Sequence, residues 1–164
     1  MGSGKSTIGK TLAKKRNIPF IDLDQYIEKQ QNTSVRQLFE EKGELSFRKI
    51  ERQVLTHLLE SKKPKVIALG GGTPCYFDNM EKIIDSPHAS IYLNTAIPTL
   101  VERLSKEKTT RPLIAHLDSH EDLLEFVAKH IFERNTYYRM ANYQVAIQSQ
   151  PIDDVIAEIE QLLS

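Results

Sequence analysis

Residues 2–7 read Gly-Ser-Gly-Lys-Ser-Thr and carry the strongest chemical signal in the chain. Glycines at this spacing let backbone N–H groups converge on phosphate oxygens, and the apolar residues Ile8, Leu12 and Ala13 indicate that a helix follows. The lysine can reach the outer phosphates of a nucleotide, and the hydroxyl after it can bind Mg²⁺. A flexible start to a helix is the alternative. We predict a phosphate-binding loop that consists of Gly2, Ser3, Gly4, Lys5, Ser6 and Thr7.

Two carboxylates, Asp22 and Asp24, come directly after a short β-prone run. Ligands collect at the carboxyl ends of strands in open α/β sheets, and alternation sends neighbouring side chains in different directions. One carboxylate is therefore suited to a metal ion and the other to a substrate. The competing interpretation is that Asp24 only caps the next helix.

Two further features, an arginine on a helix and a run of three glycines, are each ambiguous when taken alone. Arg48 follows an apolar residue on an amphipathic helix, where it could also be an ordinary solvated arginine. Three glycines, at positions 70–72, directly follow an apolar run, and such a sequence lets a ligand approach the backbone closely. The alternative for the glycines is a loose turn.

The elements that must position these residues alternate between strands and helices, which indicates an α/β protein with a parallel sheet. A Ser34/Gln37 capping box begins one helix and Gly43 ends it. We predict strands at 19–22, 65–69, 90–93 and 143–147, and further helices through 47–59 and near 100–106, 121–140 and 152–163. The polar stretch 105–120 is predicted to be a mobile loop.

Composition excludes several classes of protein. The chain has 164 residues, and its 22 basic residues balance its 22 acidic ones, so no overall field favours nucleic acid or a membrane surface. The single cysteine, Cys75, cannot form an internal disulfide, and no apolar run is long enough to span a bilayer. We expect one domain over residues 1–164, a cytoplasmic monomer that binds neither nucleic acid nor membrane.

Six segments occur in an order that resembles the shikimate kinase family. They are GSGKST, IDLD, FRKIE, GGG, RPLI and the arginine before a tyrosine in ERNTYY. The resemblance implies a three-layer P-loop kinase fold, similar to nucleoside monophosphate kinases, with strand order 2-3-1-4-5. It also implies ATP-dependent phosphorylation of the 3-hydroxyl of shikimate with Mg²⁺, in the pathway to chorismate and aromatic amino acids.

The same resemblance assigns roles to individual residues. Asp24 would accept a hydrogen bond from the hydroxyl that attacks. Lys5 and Arg111 would supply positive charge around the transferred phosphoryl group, and Arg103 would lie near adenine. Ser6 would bind the metal ion directly and Asp22 through water. The implied shikimate site consists of Asp24, Arg48, Gly70, Gly71, Gly72 and Arg134. Phe39, Phe47 and Glu51 match positions that line or brace the same pocket, and the alternative is two core phenylalanines and a helix-surface glutamate. A substrate-binding helical segment at about 24–61 and a lid at about 105–120 complete the expectation.

One departure from the family concerns the start of the chain. The first glycine of the loop and the strand before it would precede Met1, so the central strand is expected to be missing and the natural protein to start upstream. Two other functions therefore stay open: a related small-molecule kinase, or a weakly active or silent nucleotide-binding protein.

Overall fold

The computed structural model describes residues 2–107, 112–117, 119–148 and 150–164. Its strands are β1 (Phe20–Asp22), β2 (Val66–Ala68), β3 (Ile91–Thr95) and β4 (Tyr143–Ile147). Its helices are α1 (Lys5–Arg16), α2 (Leu23–Gln31), α3 (Val35–Glu60), α4 (Asn79–Asp85), α5 (Ile97–Lys106), α6 (Pro112–Ala115), α7 (His120–Tyr138) and α8 (Ile152–Leu162), with a 3₁₀ turn at Thr73–Cys75. The four predicted strands are therefore confirmed, and α4, α6 and the 3₁₀ turn were not predicted.

The strands form two parallel pairs. β1 pairs with β2, with Asp22 opposite Ala68, and β3 pairs with β4, with Thr95 opposite Ile147. In the expected strand order 2-3-1-4-5, strand 1 is the central strand that was expected to be missing. The strands β1, β2, β3 and β4 therefore correspond to strands 2, 3, 4 and 5 of that order, and the observed pairs are 2-3 and 4-5. The expected central strand is not among the strands of the described residues.

The chain divides into two compact units. The first unit consists of Ser6–Ser90, and the second unit consists of the residues up to Lys5 together with Ile91–Ser164. Each unit has its own apolar core.

In the first unit, α2 and α3 pack on β1 and β2. The core residues are Leu23, Ile27, Leu38, Phe47, Val54 and Leu58, and Ile21 and Ile67 of the strands pack against them. Helix α1 comes close to the same sheet at Gly9, where an added Cβ would lie 2.7 Å from Cε2 of Phe20. Gly9 therefore permits a helix–strand approach that a side chain would prevent.

Helix α3 begins at the predicted capping box, and it is kinked at the glycine where the sequence predicted a helix end. The Ser34/Gln37 capping box is formed, and Gly43 has φ +77° and ψ 166°, so the helix is kinked there. The carbonyl groups at its last turn accept hydrogen bonds from Lys65 and His88: Nζ of Lys65 lies 2.7 Å and Nε2 of His88 lies 3.1 Å from the Ser61 oxygen. Cationic and N–H groups are favourable at this end of a helix.

The core of the second unit lies between α5 and α7. It contains Leu100, Val101, Leu104, Ile114, Leu123 and Val127. Part of the predicted loop 105–120 is helical, because α5 continues to Lys106 and α6 places Ile114 in this core. A second capping box, formed by Ser119 and Asp122, begins α7. None of the helices of the described residues is both long and apolar enough to cross a membrane.

Candidate active site

The predicted phosphate-binding loop has the backbone that such a loop needs. Gly2 and Gly4 have φ of +71° and +83°, a conformation in which glycine lacks the strain of other residues, and α1 begins at Lys5. Alternating conformations of this kind turn successive N–H groups toward one point, which suits an anion. The loop is supported by Arg103 on α5, which donates from Nη1 to the Gly2 carbonyl at 3.2 Å and from Nη2 to the Gln148 carbonyl at 3.4 Å.

The two residues predicted to hold the metal ion lie together. The hydroxyl of Ser6 donates to Oδ2 of Asp22 at 3.3 Å. A hydroxyl and a carboxylate are hard oxygen ligands, so this pair fits Mg²⁺, which usually takes one or two protein ligands and keeps several waters. No cluster of three or more His, Cys, Asp or Glu side chains suited to a metal occurs within the described part of the chain.

Asp22 also begins the next helix. Its Oδ1 accepts a hydrogen bond from the backbone N–H of Gln25 at 3.4 Å, which makes Asp22 the N-cap of α2. Asp24 lies inside the first turn of α2. The alternative interpretation of Asp24 as the helix cap is therefore wrong, because the cap is two residues earlier.

Arg48 is a buried residue rather than a solvated one. Its exposed fraction is 9%, and Nη1 donates to Oε2 of Glu51 at 2.8 Å. Glu51 is fully buried, which contradicts its interpretation as a helix-surface glutamate. The guanidinium lies 5.2 Å from the ring of Phe47 and 5.8 Å from that of Phe39, and these two rings contact each other at 4.6 Å.

The charge of Arg48 is fixed by its neighbours. Burial lowers the pKa of Arg48, but the hydrogen bond and the negative charge of Glu51 outweigh burial, so the pKa lies above the ordinary arginine value. Nε of Arg48 is buried and has no hydrogen-bond partner among the residues that the structure describes. A buried cation with an unused N–H donor is suited to an anionic ligand.

The glycines after β2 give room to these side chains. An added Cβ on Gly70 would lie 3.1 Å from Oδ1 of Asp24 and 3.5 Å from Oε1 of Glu51. An added Cβ on Gly72 would lie 2.6 Å from Nη2 of Arg48. Gly72 is therefore required by the position of Arg48, a function that the sequence did not indicate.

Thr73 connects the glycine turn to α3. Its buried hydroxyl donates to Oε1 of Glu51 at 2.6 Å, so both oxygens of Glu51 have partners. The carbonyl of Thr73 accepts a hydrogen bond from Nδ2 of the fully buried Asn79 at 2.8 Å. These bonds fix the turn relative to Arg48.

Tyr76 covers the guanidinium of Arg48. The centre of its ring lies 4.2 Å from Cζ of Arg48, and its hydroxyl donates to Oε1 of Glu44 at 2.6 Å. The same Glu44 oxygen lies 3.4 Å from Nη2 of Arg48. The hydrogen bond to Glu44, followed by burial, raises the pKa of Tyr76.

An ion pair fastens the end of this loop to α3. Arg52 donates from Nε and Nη2 to the two oxygens of Asp78, at 2.6 and 2.8 Å. The hydrogen bonds from Arg52 lower the pKa of Asp78 to about 2. Lys82 lies 3.8 Å away and adds positive charge.

The first unit thus brings together Ser6 with Asp22, and Asp24 with Gly70, Glu51, Arg48 and Gly72. Arg134 lies on α7 in the second unit, where it lines a small pocket with Leu104 and Tyr138. Arg111 lies outside the described residues. Its predicted role in a lid stays a prediction.

Glu44, Tyr76, Arg52 and Asp78 were not predicted to belong near the site. One signal was available, because Glu44 and Arg48 are four residues apart on a helix, the spacing at which side chains meet. The contacts of Tyr76 and Asp78 join distant parts of the sequence, and no local pattern indicates them.

Comparison with known proteins gives one consistent result. The sequence model of the family described as shikimate kinase matches residues 1–164. The shikimate kinase of Flavobacterium johnsoniae is 44% identical over 164 residues, covering 100% of this chain and 95% of the relative. That of Flavobacterium psychrophilum is 44% identical over 163 residues, covering 99% and 94%.

Solved structures agree with the sequence relatives. The crystal structure of shikimate kinase from Bacteroides thetaiotaomicron has a TM-score of 0.87 and 34% identity, covering 99% of this chain and 93% of that one. Shikimate kinase from Acinetobacter baumannii in complex with shikimate has a TM-score of 0.86 and 30% identity, covering 99% and 88%. The predicted fold class is therefore confirmed.

Proposed function

This chain belongs to the shikimate kinase family, and we propose that it transfers the γ-phosphoryl group of ATP to the 3-hydroxyl of shikimate, giving shikimate 3-phosphate and ADP. The reaction would serve the pathway to chorismate and aromatic amino acids. The observation that carries the proposal is the buried Arg48 guanidinium, which pairs with Glu51 at the glycine turn where the Asp24 carboxylate also lies close to Gly70.

On the acceptor side, Arg48 binds the carboxylate of shikimate. A planar guanidinium can hold a carboxylate through two N–H bonds, and burial makes each bond stronger than it would be in water. Asp24 accepts a hydrogen bond from the hydroxyl that attacks. The glycine turn at 70–72 brings backbone groups close to the ring of the substrate, and the second carboxylate-binding residue is Arg134.

On the phosphate side, the N–H groups of residues 2–5 and the N-terminus of α1 bind the phosphates of ATP, with Lys5 as the cationic side chain. Ser6 and Asp22 would hold Mg²⁺, which would neutralise phosphate charge when bound. Arg103 supports the loop beside the nucleotide, and Arg111 is the lid residue that closes over the phosphates.

The chemical step needs alignment and positive charge more than covalent catalysis. Asp24 orients the 3-hydroxyl so that its oxygen forms the new bond to phosphorus as the bond to the leaving oxygen of ADP breaks. The proton of the hydroxyl passes to Asp24 or to the transferred phosphoryl group. Lys5 and Arg111 hold positive charge beside the moving group, and closure of the lid keeps water from acting as the acceptor.

We further propose that the chain acts as a cytoplasmic monomer in a single domain over residues 1–164. The equal numbers of basic and acidic residues support the absence of nucleic acid and membrane partners.

The test is ADP formation that depends on shikimate, measured in a coupled assay with ATP and Mg²⁺. Arg48→Ala should raise the KM for shikimate by about 100-fold, because it removes charge-assisted bonds, and should leave the KM for ATP unchanged. The matched control is Arg36→Ala, which removes an arginine that is exposed at the start of the same helix. Turnover with a different acceptor would indicate a related kinase, and no turnover with any acceptor would indicate a silent nucleotide-binding protein.

A further inference from the structure

The carboxylate of Glu44 could compete with an anionic substrate for Arg48. Its carboxylate is near enough to pair with Arg48, since Oε1 lies 3.4 Å from Nη2. A distance of 3.4 Å makes a weak hydrogen bond, whereas the bond from the same arginine to Glu51 is 2.8 Å long. Something therefore keeps Glu44 from pairing closely with Arg48.

The hydroxyl of Tyr76 holds Glu44. It donates to the same oxygen, Oε1, at 2.6 Å, which is the length of a strong hydrogen bond to a carboxylate. The ring of Tyr76 meanwhile lies over the guanidinium at 4.2 Å, the geometry of a cation–π contact. One side chain thus stacks on the arginine and binds its competing counter-ion.

We propose that Tyr76 is a positioning residue that keeps Arg48 available to the carboxylate of shikimate, by stacking on the guanidinium and by holding Glu44 away from Nη2. This inference rests on the proposed function. Tyr76 lies four residues beyond Gly72. The same loop therefore contains the glycine that leaves room for the Arg48 guanidinium and the tyrosine that keeps Glu44 from pairing closely with it.

The two contributions of Tyr76 can be separated. Tyr76→Phe keeps the ring over Arg48 and removes only the donor to Glu44. The carboxylate of Glu44 can then move onto Nη2 and compete with the substrate. Glu44→Gln removes the competing charge, so it should cancel the effect of Tyr76→Phe. A merely structural role of the hydroxyl would not be rescued in this way.

The experiment measures shikimate binding to the full chain by calorimetry, together with KM and kcat. We expect Tyr76→Phe to weaken binding about fivefold to tenfold, an amount typical of a new charge-assisted pair, with kcat and the KM for ATP unchanged. Glu44→Gln should bind shikimate at least as tightly as the unmodified chain. The double variant should bind within about twofold of Glu44→Gln alone, as expected for coupled neighbours.

The matched control is Glu40→Gln, an exposed carboxylate on the same helix that pairs with Arg36 and should leave binding unchanged. Unaltered binding in Tyr76→Phe, or a double variant as weak as Tyr76→Phe, would overturn the inference. If the unmodified chain itself neither binds shikimate nor turns over with it, the proposed function fails, and the inference fails with it. Thermal unfolding of each variant shows whether it is folded.

Discussion

An added Cβ on Gly72 would lie 2.6 Å from Nη2 of Arg48. The backbone of Gly72 itself is ordinary, with φ −86° and ψ −20°, so alanine would meet no conformational strain there. The three atoms nearest to that Cβ all belong to the tip of the arginine: Nη2, Cζ and Nη1, at 2.6, 3.0 and 3.1 Å.

Gly72→Ala should therefore shift the Nη2 end of the Arg48 guanidinium, which moves more easily than backbone, and the fold should stay nearly as stable as before because Nη1 can keep its bond to the buried Glu51. We expect the KM for shikimate to rise about tenfold or more, with little change in Tm, since a misplaced guanidinium loses its bidentate geometry. Steady-state kinetics and thermal unfolding measure the two effects. Gly9→Ala is the contrasting variant: its Cβ would meet the ring of Phe20, so Tm should fall instead. Unchanged KM in Gly72→Ala would mean that Arg48 does not contact the substrate.

Asp24→Asn should reduce turnover without disturbing the fold. The substitution keeps the shape of the side chain but removes the negative acceptor for the attacking hydroxyl, and loss of such a group typically lowers kcat by about 10²–10⁴-fold. A coupled assay at saturating ATP and shikimate measures this. Asp85→Asn, which alters an exposed carboxylate at the end of α4, is the control. An Asp24 variant with nearly full turnover would assign that residue to binding alone.

Thr73→Val should destabilise the folded chain by about 1–3 kcal/mol, because the fully buried Glu51 would lose the hydroxyl that lies 2.6 Å from its Oε1. Valine has nearly the same shape, so the effect isolates the hydrogen bond. Thr73→Ser keeps the hydroxyl and should be closer to the original stability. Urea unfolding compares the three chains, and equal stability of Val and Ser variants would show that Glu51 has found another donor.

The ion pair between Arg52 and Asp78 should stabilise the fold only where Asp78 is ionised. The pKa of Asp78 is lowered from 3.8 to about 2, chiefly by hydrogen bonds from Arg52. A lowered pKa in the folded state means that the stabilisation is present above about pH 4 and is lost as the pH falls toward 2. Asp78→Asn should therefore have a lower Tm than the unmodified chain near neutral pH, and the two should converge between pH 4 and 2. If the difference in Tm between the two chains stays constant from pH 4 to pH 2, the ion pair does not depend on the ionisation of Asp78 and the prediction is wrong.

Local signals in the sequence predicted much of the fold. The Ser34/Gln37 pair and Gly43 mark the start and the kink of α3 because capping and glycine conformation depend on a few neighbouring residues. The segment Thr73–Asp85 escaped prediction, since a 3₁₀ turn and a seven-residue helix are too short to show a helical repeat.

The site was predicted less completely than the fold. The resemblance named Arg48, but Tyr76 and Asp78 reach α3 only through tertiary contacts, which no spacing in the sequence reveals. The sequence left open whether Glu51 is buried, because a charged residue on a helix is usually exposed and the two partners that make its burial tolerable are recognised only in the structure.

The two oxygens of Asp22 have different partners, Ser6 and the first turn of α2, and that turn contains Asp24. In the proposed function Asp22 binds the cation and Asp24 the acceptor, so a shift of Asp22 toward the cation would also act on the start of the helix that carries Asp24. We expect occupancy of the two ligand sites to be thermodynamically coupled, and by reciprocity each ligand would then alter the affinity for the other by the same factor.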